Sequence, residues 1–187
     1  MSGVYGRYKK VRDGAWQLLI SCNVRSLPLD VVSVAKTVDI KIIKNSDTHL
    51  LHVGESGLSI LDNGVWYIVY DDTLSYEDIR FTIAHEMGHI FLGHPLRVGQ
   101  YWQDNKDKHS PFEVDADDFA LRILSPACIL WGMNLHTADE IANVCKIPME
   151  VARKRAERMK QLYNRNKFLT SPLEKELYDN FTDFLNH

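Results

Sequence analysis

Residues 81–95, with the sequence FTIAHEMGHIFLGHP, place three histidines and one glutamate inside an otherwise apolar run. The apolar residues recur on all sides of a helix, so a helix here would be buried almost all round. Ser75 is a suitable N-cap, and the helix is expected to end near Gly93. Buried imidazoles and carboxylates are costly without partners. The stretch therefore indicates either a polar site or histidines that are satisfied within the core.

His85, Glu86 and His89 follow the pattern H-E-x-x-H. Positions i and i+4 of a helix point the same way, one turn apart, so the two imidazoles can bind one ion. The glutamate lies near the same face and is displaced enough to hold a water beside that ion. The spacing predicts two zinc ligands and a general base.

His94 is not predicted to be a third ligand. The pattern H-E-x-x-H-x-x-G-x-x-H would supply one. It requires Gly and His where this chain has Leu92 and Pro95. His94 is instead expected to end the helix, where a histidine favours the negative end of the helix dipole.

The third ligand is predicted on the next helix, which is expected to run from residue 111 to 124 in the segment SPFEVDADDFALRILSP. A catalytic zinc site uses three protein ligands. Glu113 and Asp117 are four residues apart and share a face, whereas Asp115 points to the far side of the helix. We predict that Glu113 binds zinc and that Asp117 accepts the second N–H of a ligating histidine. An acidic first turn that complements the helix dipole also explains Glu113 and Asp115, but not Asp117.

The motif HEMGHIFLGH, followed by EVDADDFALRILSP, resembles the ImmA/IrrE family of zinc metallo-endopeptidases. The resemblance covers roughly residues 75–130. Many members carry Glu in place of Asp115, and Met is common in place of Ser125; neither position is a proposed ligand.

This resemblance implies a gluzincin-like fold, with Zn²⁺ bound by His85, His89 and Glu113, and Glu86 as the catalytic base. Members are commonly encoded beside helix-turn-helix repressors, often on mobile elements, and relieve repression by cleaving them. The resemblance therefore implies an anti-repressor in gene regulation, whose partner is a cytoplasmic helix-turn-helix repressor.

Two details of catalysis stay open at this point. The developing oxyanion needs a donor, and Tyr101, His109 and Tyr76 are possible suppliers. A sheet edge could align the substrate as an added strand, and VWYIVYDD or IKIIK could serve.

The C-terminal part gives a different hypothesis. Residues 137–164 read as helix, turn and helix, and residues 146–167 hold eight Lys or Arg against two Glu. DNA contact, docking of a protein partner and simple packing all fit this pattern, and DNA contact is not favoured. The alternative function is a DNA- or repressor-binding regulator whose zinc site is structural or vestigial. Glu86 favours the enzyme, because a structural zinc site needs no base.

The expected fold is α+β: a small antiparallel sheet packed on active-site helices, zincin-like, followed by a helical C-terminal subdomain. IKIIK (40–44) is a strand candidate, and LSILDNGVWYIVYDD predicts a hairpin that turns at Asn63-Gly64. Helices are predicted over 5–22, near Pro28, and over 127–132, 137–145, 148–164 and 172–185, with a loop over 97–110. We place a metallopeptidase domain at 1–132 and a helical subdomain at 133–187, for which a helix-turn-helix-like arrangement is one interpretation.

Composition constrains the class of protein and the cellular compartment that we expect. The net charge of −3 argues against a general polyanion binder. Three widely spaced cysteines form no CxxC pair, which argues against a disulfide framework and favours a reducing cytoplasm. No apolar run approaches the roughly 20 residues of a membrane helix. The sequence carries no indication of the oligomeric state.

Overall fold

A computed structural model describes residues 2–94 and 110–186. By its internal contacts the chain divides into two compact units, one of residues 30–120 and the other of the remaining segments before and after it. A division by contacts does not test the predicted domain boundary at residue 132, which stays a prediction. The predicted loop over 97–110 lies, except for residue 110, outside the described residues.

The unit of residues 30–120 contains a three-stranded sheet. Its elements are α2 (Val31–Thr37), β1 (Ile40–Lys44), α3 (Asn45–Thr48), β2 (Gly57–Asp62), β3 (Val65–Tyr70), α4 (Tyr76–Leu92) and the first part of α5 (Pro111–Leu124). The strand order is β1-β3-β2, with β1 parallel and β2 antiparallel to β3. The predicted α+β class is confirmed. The sheet is mixed rather than wholly antiparallel, because the chain runs through α3 and a loop before it enters the hairpin.

Local signals set the bounds of the hairpin and of α4. Asn63 and Gly64 form the predicted turn with φ of 47° and 80°. Ser75 caps α4, since its hydroxyl accepts the backbone N–H of Asp78. Ile83, Ala84 and Met87 of α4 are fully buried. The predicted start and end of this helix are therefore confirmed, and so is its buried character.

The second unit is helical. It contains α1 (Ser2–Ser21), the end of α5, α6 (Ala127–Gly132), α7 (Ala138–Cys145), α8 (Met149–Arg165), α9 (Pro172–Asn180) and α10 (Thr182–Leu185). The helix predicted over 172–185 is wrong in one respect, since it is interrupted at Phe181. The hydroxyl of Thr182 donates to the carbonyl of Asp179 there, and such side-chain bonds compete with the helical backbone pattern.

Arg155 of α8 is buried within this helical unit. Its guanidinium donates to the carbonyl of Leu121 at 2.7 Å and to the hydroxyl of Ser125 at 3.1 Å. These bonds tie α8 to the end of α5. The three cysteines are all free thiols. Among the described residues, no helix is both long enough and apolar enough to cross a membrane.

Candidate metal centre

One face of α4 presents His85, Glu86 and His89 to the same region. The rings of His85 and His89 lie 4.8 Å apart between centroids, and their Nε2 atoms are 3.0 Å apart. Glu86 and His89 are buried, with 6% and 8% of their surface exposed. The i, i+4 spacing therefore brings two imidazole lone pairs to one point.

α5 brings Glu113 to that point because α4 and α5 pack very closely at Gly88. A Cβ atom built on Gly88 would lie 3.0 Å from the Cα of Ala116 and 3.2 Å from the Cβ of Phe119. Those distances are shorter than ordinary carbon contacts. Any larger residue at position 88 would push α5 away, so the glycine inside the motif has a packing role that its histidines do not reveal.

The three predicted ligands converge. Glu113 Oε2 lies 3.2 Å from His85 Nε2, and Glu113 Oε1 lies 3.4 Å from His89 Nε2. In a tetrahedral site with bonds of about 2.0–2.2 Å, neighbouring ligand atoms are about 3.3 Å apart. Within the part of the chain that the structure describes, these three side chains form a group whose ligand atoms lie close enough together to hold one metal ion. The donor set and the spacing fit a metal, and three protein ligands is the number that catalytic sites use.

Asp117 occupies the position predicted for an orienting carboxylate. Nδ1 of His85 donates to Asp117 Oδ1 at 2.8 Å, which directs Nε2 of the same ring toward Glu113. Burial lowers the pKa of His85, but hydrogen bonds to Asp117 and Glu113 outweigh it and raise that pKa to about 9. In the metal-free protein His85 is therefore an imidazolium at neutral pH, with a proton on both ring nitrogens.

Glu113 is ionised in the same state. Its hydrogen bonds to His85 and His89 hold its pKa well below the ordinary value, against the opposing effect of burial. A carboxylate already ionised requires no proton loss before it binds a cation. The metal would thus displace a proton from His85 and not from Glu113.

Glu86 is held from the sheet side. The hydroxyl of Ser59 on β2 donates to Glu86 Oε2 at 2.6 Å, and Ser59 is itself buried. β2 can approach this closely because residue 57 has no side chain: a Cβ atom on Gly57 would lie 2.5 Å from Cγ2 of Thr82 and 3.0 Å from Cγ of Glu86. The predicted base is therefore fixed between its own helix and an edge strand.

His94 follows the helix end and turns back onto it. Gly93 takes the left-handed conformation with φ of 68°, and the N–H of His94 donates to the carbonyl of His89 at 3.0 Å. The His94 ring is buried, with its Nδ1 3.1 Å from Nδ1 of His89 and its centroid 5.0 Å from that of Phe112. His94 therefore contacts a predicted ligand from outside the group of three.

A family model described as Peptidase_M78, the IrrE N-terminal-like domain, matches residues 35–157. The match covers more than half of the chain. The chain belongs to the peptidase M78 family. Membership confirms the family resemblance expected from the two motifs, and it identifies a metallopeptidase-type domain. No curated protein matches the chain.

Within this M78 domain, two of the predicted oxyanion donors, Tyr101 and His109, lie outside the described residues. Tyr76 begins α4, nine residues before His85, which is about 13 Å along a helix. Its ring contacts the guanidinium of Arg80 at 5.4 Å. Tyr76 is therefore too far from the metal centre to serve as the donor.

Sequence reasoning did not find Ser59, Gly57, Gly88 or the contact of His94 with His89. Ser59 lies 27 residues before Glu86, and no spacing rule links a strand residue to a helix at that separation. Gly88 lies inside the motif itself, and its position between the two histidines was the available signal for a close helix contact.

Proposed function

We propose that this chain is a zinc-dependent endopeptidase that cleaves a cytoplasmic helix-turn-helix repressor and thereby relieves repression. One observation carries the enzymatic part: the converging ligand atoms of His85, His89 and Glu113 lie beside the buried carboxylate of Glu86. The donor set supports zinc as the metal, since two imidazoles and one carboxylate on a helix pair are typical of catalytic zinc. The repressor as substrate is supported by the family resemblance.

Each residue of the centre has a role in this proposal. His85, His89 and Glu113 hold the ion, and Asp117 orients His85. A bound zinc ion supplies a water of lowered pKa and polarises the scissile carbonyl. Ser59 occupies one oxygen of Glu86, so the other oxygen takes the proton of the attacking water and passes it to the leaving amine.

We propose that substrate pairs with β2. The segment VWYIVY forms β3, the central strand, and both of its edges are already paired. That position excludes β3 as a site for an added strand. The outer edge of β2 pairs with no other described strand, and Ser59 of β2 contacts Glu86. An extended peptide on this edge would run beside the base, whereas β1 lies on the far side of β3.

The charges on the first turns of α8 count against a DNA-binding regulator. In a helix-turn-helix the first turns of the second helix enter the major groove. The exposed charged residues there are Glu150, Arg153, Lys154 and Glu157, whose charges cancel. Lys154 also pairs with Glu150 at 3.4 Å. A phosphate-binding face needs a net positive charge, which these turns lack.

Replacement of the base tests the proposal. Glu86→Gln should keep one zinc per chain and lose cleavage of a helix-turn-helix repressor from the same genome, because the amide cannot accept the water's proton. Cleavage is followed by gel electrophoresis and mass spectrometry, and zinc by metal analysis. Glu77→Gln is the matched control, since it makes the same change on the first turn of the same helix and should leave cleavage intact. Full cleavage by Glu86→Gln would remove Glu86 from the mechanism, and a zinc-free wild-type protein would refute the proposed function.

A further inference from the structure

At the end of α4, a turn of the backbone brings His94 back to His89. The N–H of Gly93 donates to the carbonyl of Ile90, and the N–H of His94 donates to the carbonyl of His89. This pair of bonds is the Schellman arrangement, in which the left-handed residue reverses the chain. This turn directs His94 back toward the ring of His89, which lies five positions earlier in the chain.

The two rings meet through one nitrogen each. Nδ1 of His94 lies 3.1 Å from Nδ1 of His89, and the ring planes are inclined at 75°. Nε2 of His89 faces the opposite way, toward His85 and Glu113. A neutral imidazole carries one proton, so a ring that binds a metal through Nε2 carries its proton on Nδ1. Nδ1 of His89 must then donate, and Nδ1 of His94 must accept.

We propose that His94 is a positioning residue for the metal centre: it accepts the Nδ1–H of His89 and holds Nε2 of His89 toward the ion. This inference rests on the proposed function, since it assigns a partner to one ligand of that site. Asp117 does the same for His85 through a carboxylate at 2.8 Å. Each histidine ligand thus has its own outer partner, and Phe112, whose ring lies against His94, limits the movement of the acceptor.

Three variants of His94 separate an acceptor from a packing residue. His94→Asn keeps a carbonyl oxygen close to the position of Nδ1, so it should bind zinc within about threefold of the wild type. His94→Gln places its polar atoms near the position of Nε2 instead, and His94→Phe keeps the ring volume without an acceptor. Both should bind zinc about 10–100-fold more weakly, which is the usual effect of losing an outer partner of a ligand.

Zinc affinity is measured by chelator competition, and thermal unfolding of the chelated variants reports any structural damage. A packing role predicts the opposite ranking, with Phe best tolerated and with the thermal midpoints following the affinities. Long-range ¹⁵N–¹H NMR of the zinc-loaded protein gives a second readout: the proton should lie on Nδ1 of His89 and on Nε2 of His94. If the Phe variant does not fold, the Asn and Gln pair decides alone.

The outcomes are distinct. A wild-type protein that binds no zinc overturns the proposed function and this inference with it. A wild-type protein that binds zinc, with the Phe variant equally tight or the Asn variant no tighter than Gln, overturns this inference alone. A proton found on Nδ1 of His94 in the loaded protein also overturns it.

Discussion

Zinc loading should depend on pH through the proton on His85. In the metal-free protein the pKa of His85 is raised to about 9, so at pH 7 only about one molecule in a hundred has this ligand free of its proton. Zinc must displace that proton, which costs on the order of 3 kcal/mol at pH 7 and progressively less as pH rises. Apparent affinity should therefore increase roughly tenfold per pH unit from pH 6.5 to 8.5, and level off above about 9.

The same proton stabilises the metal-free fold, and this stability changes with pH in the opposite direction to the zinc affinity. Because the pKa of His85 is higher in the folded chain than its ordinary value of 6.5, its contribution is fully present below pH 6.5 and is lost as pH rises through 9. The free energy of unfolding of the chelated protein should fall over that window by on the order of 3 kcal/mol. Raising the pH thus weakens the metal-free fold while it favours metal binding.

Proton release upon zinc binding is the direct assay. Titration calorimetry at pH 7 in two buffers of different ionisation enthalpy counts the protons, and His85 should contribute about one. Asp117→Asn removes the carboxylate that hydrogen-bonds His85 at 2.8 Å, so the variant should release markedly fewer protons than the wild type. Any proton lost by a metal-bound water occurs in both proteins and cancels in the difference. Equal proton release by both proteins, or a flat stability of the chelated protein between pH 6.5 and 9, would refute the reasoning.

Three further substitutions have expected outcomes. Gly88→Ala should lower the free energy of unfolding by about 1 kcal/mol in urea with chelator present, because overpacking against the backbone of Ala116 exceeds the gain in helix propensity; a stabilised variant would contradict the close contact. Ser59→Ala should keep its zinc but lose roughly tenfold in turnover of the repressor, because Glu86 loses its hydrogen bond; unchanged turnover would contradict it. Arg155→Met should cost about 2–4 kcal/mol in the same unfolding assay, because the hydroxyl of Ser125 loses its donor and the carbonyl of Leu121 loses one of its donors; a loss under 1 kcal/mol would count against this.

Elements with local signals could be predicted from the sequence. α5 begins at Pro111 and ends before Ser125-Pro126, and the structure gives the predicted bounds of 111 and 124. Proline in the first turn of a helix and proline after its last turn mark the two helix ends without any tertiary context. The turn at Asn63-Gly64 is of the same kind. The spacing of His85 and His89 on one helix face belongs here too, since a single element sets it.

What could not be predicted depends on partners far away in the chain. The strand order β1-β3-β2 follows from which edge each strand finds, and no local pattern distinguishes β3 as central. The contact of Ser59 with Glu86 depends on that order. The interruption at Phe181 depends on a single hydroxyl that bonds the backbone within an otherwise good amphipathic helix. His94 was correctly placed at the helix end, but its contact with His89 depends on the turn at Gly93.

The contact lengths at the centre favour the metal site over satisfied core histidines. Hydrogen bonds that end at a carboxylate and serve only to satisfy a buried ring are short, and His85 makes one of 2.8 Å with Asp117. Glu113 contacts the two rings through different oxygens, at 3.2 and 3.4 Å. Both distances are longer than charge-assisted bonds prefer and are similar to the separation of neighbouring ligand atoms around zinc. The two Nε2 atoms face each other at 3.0 Å and can share only one hydrogen bond between them. A cation at the centre would use a lone pair of each ring and one of the carboxylate at once, which hydrogen bonds among the three groups cannot do.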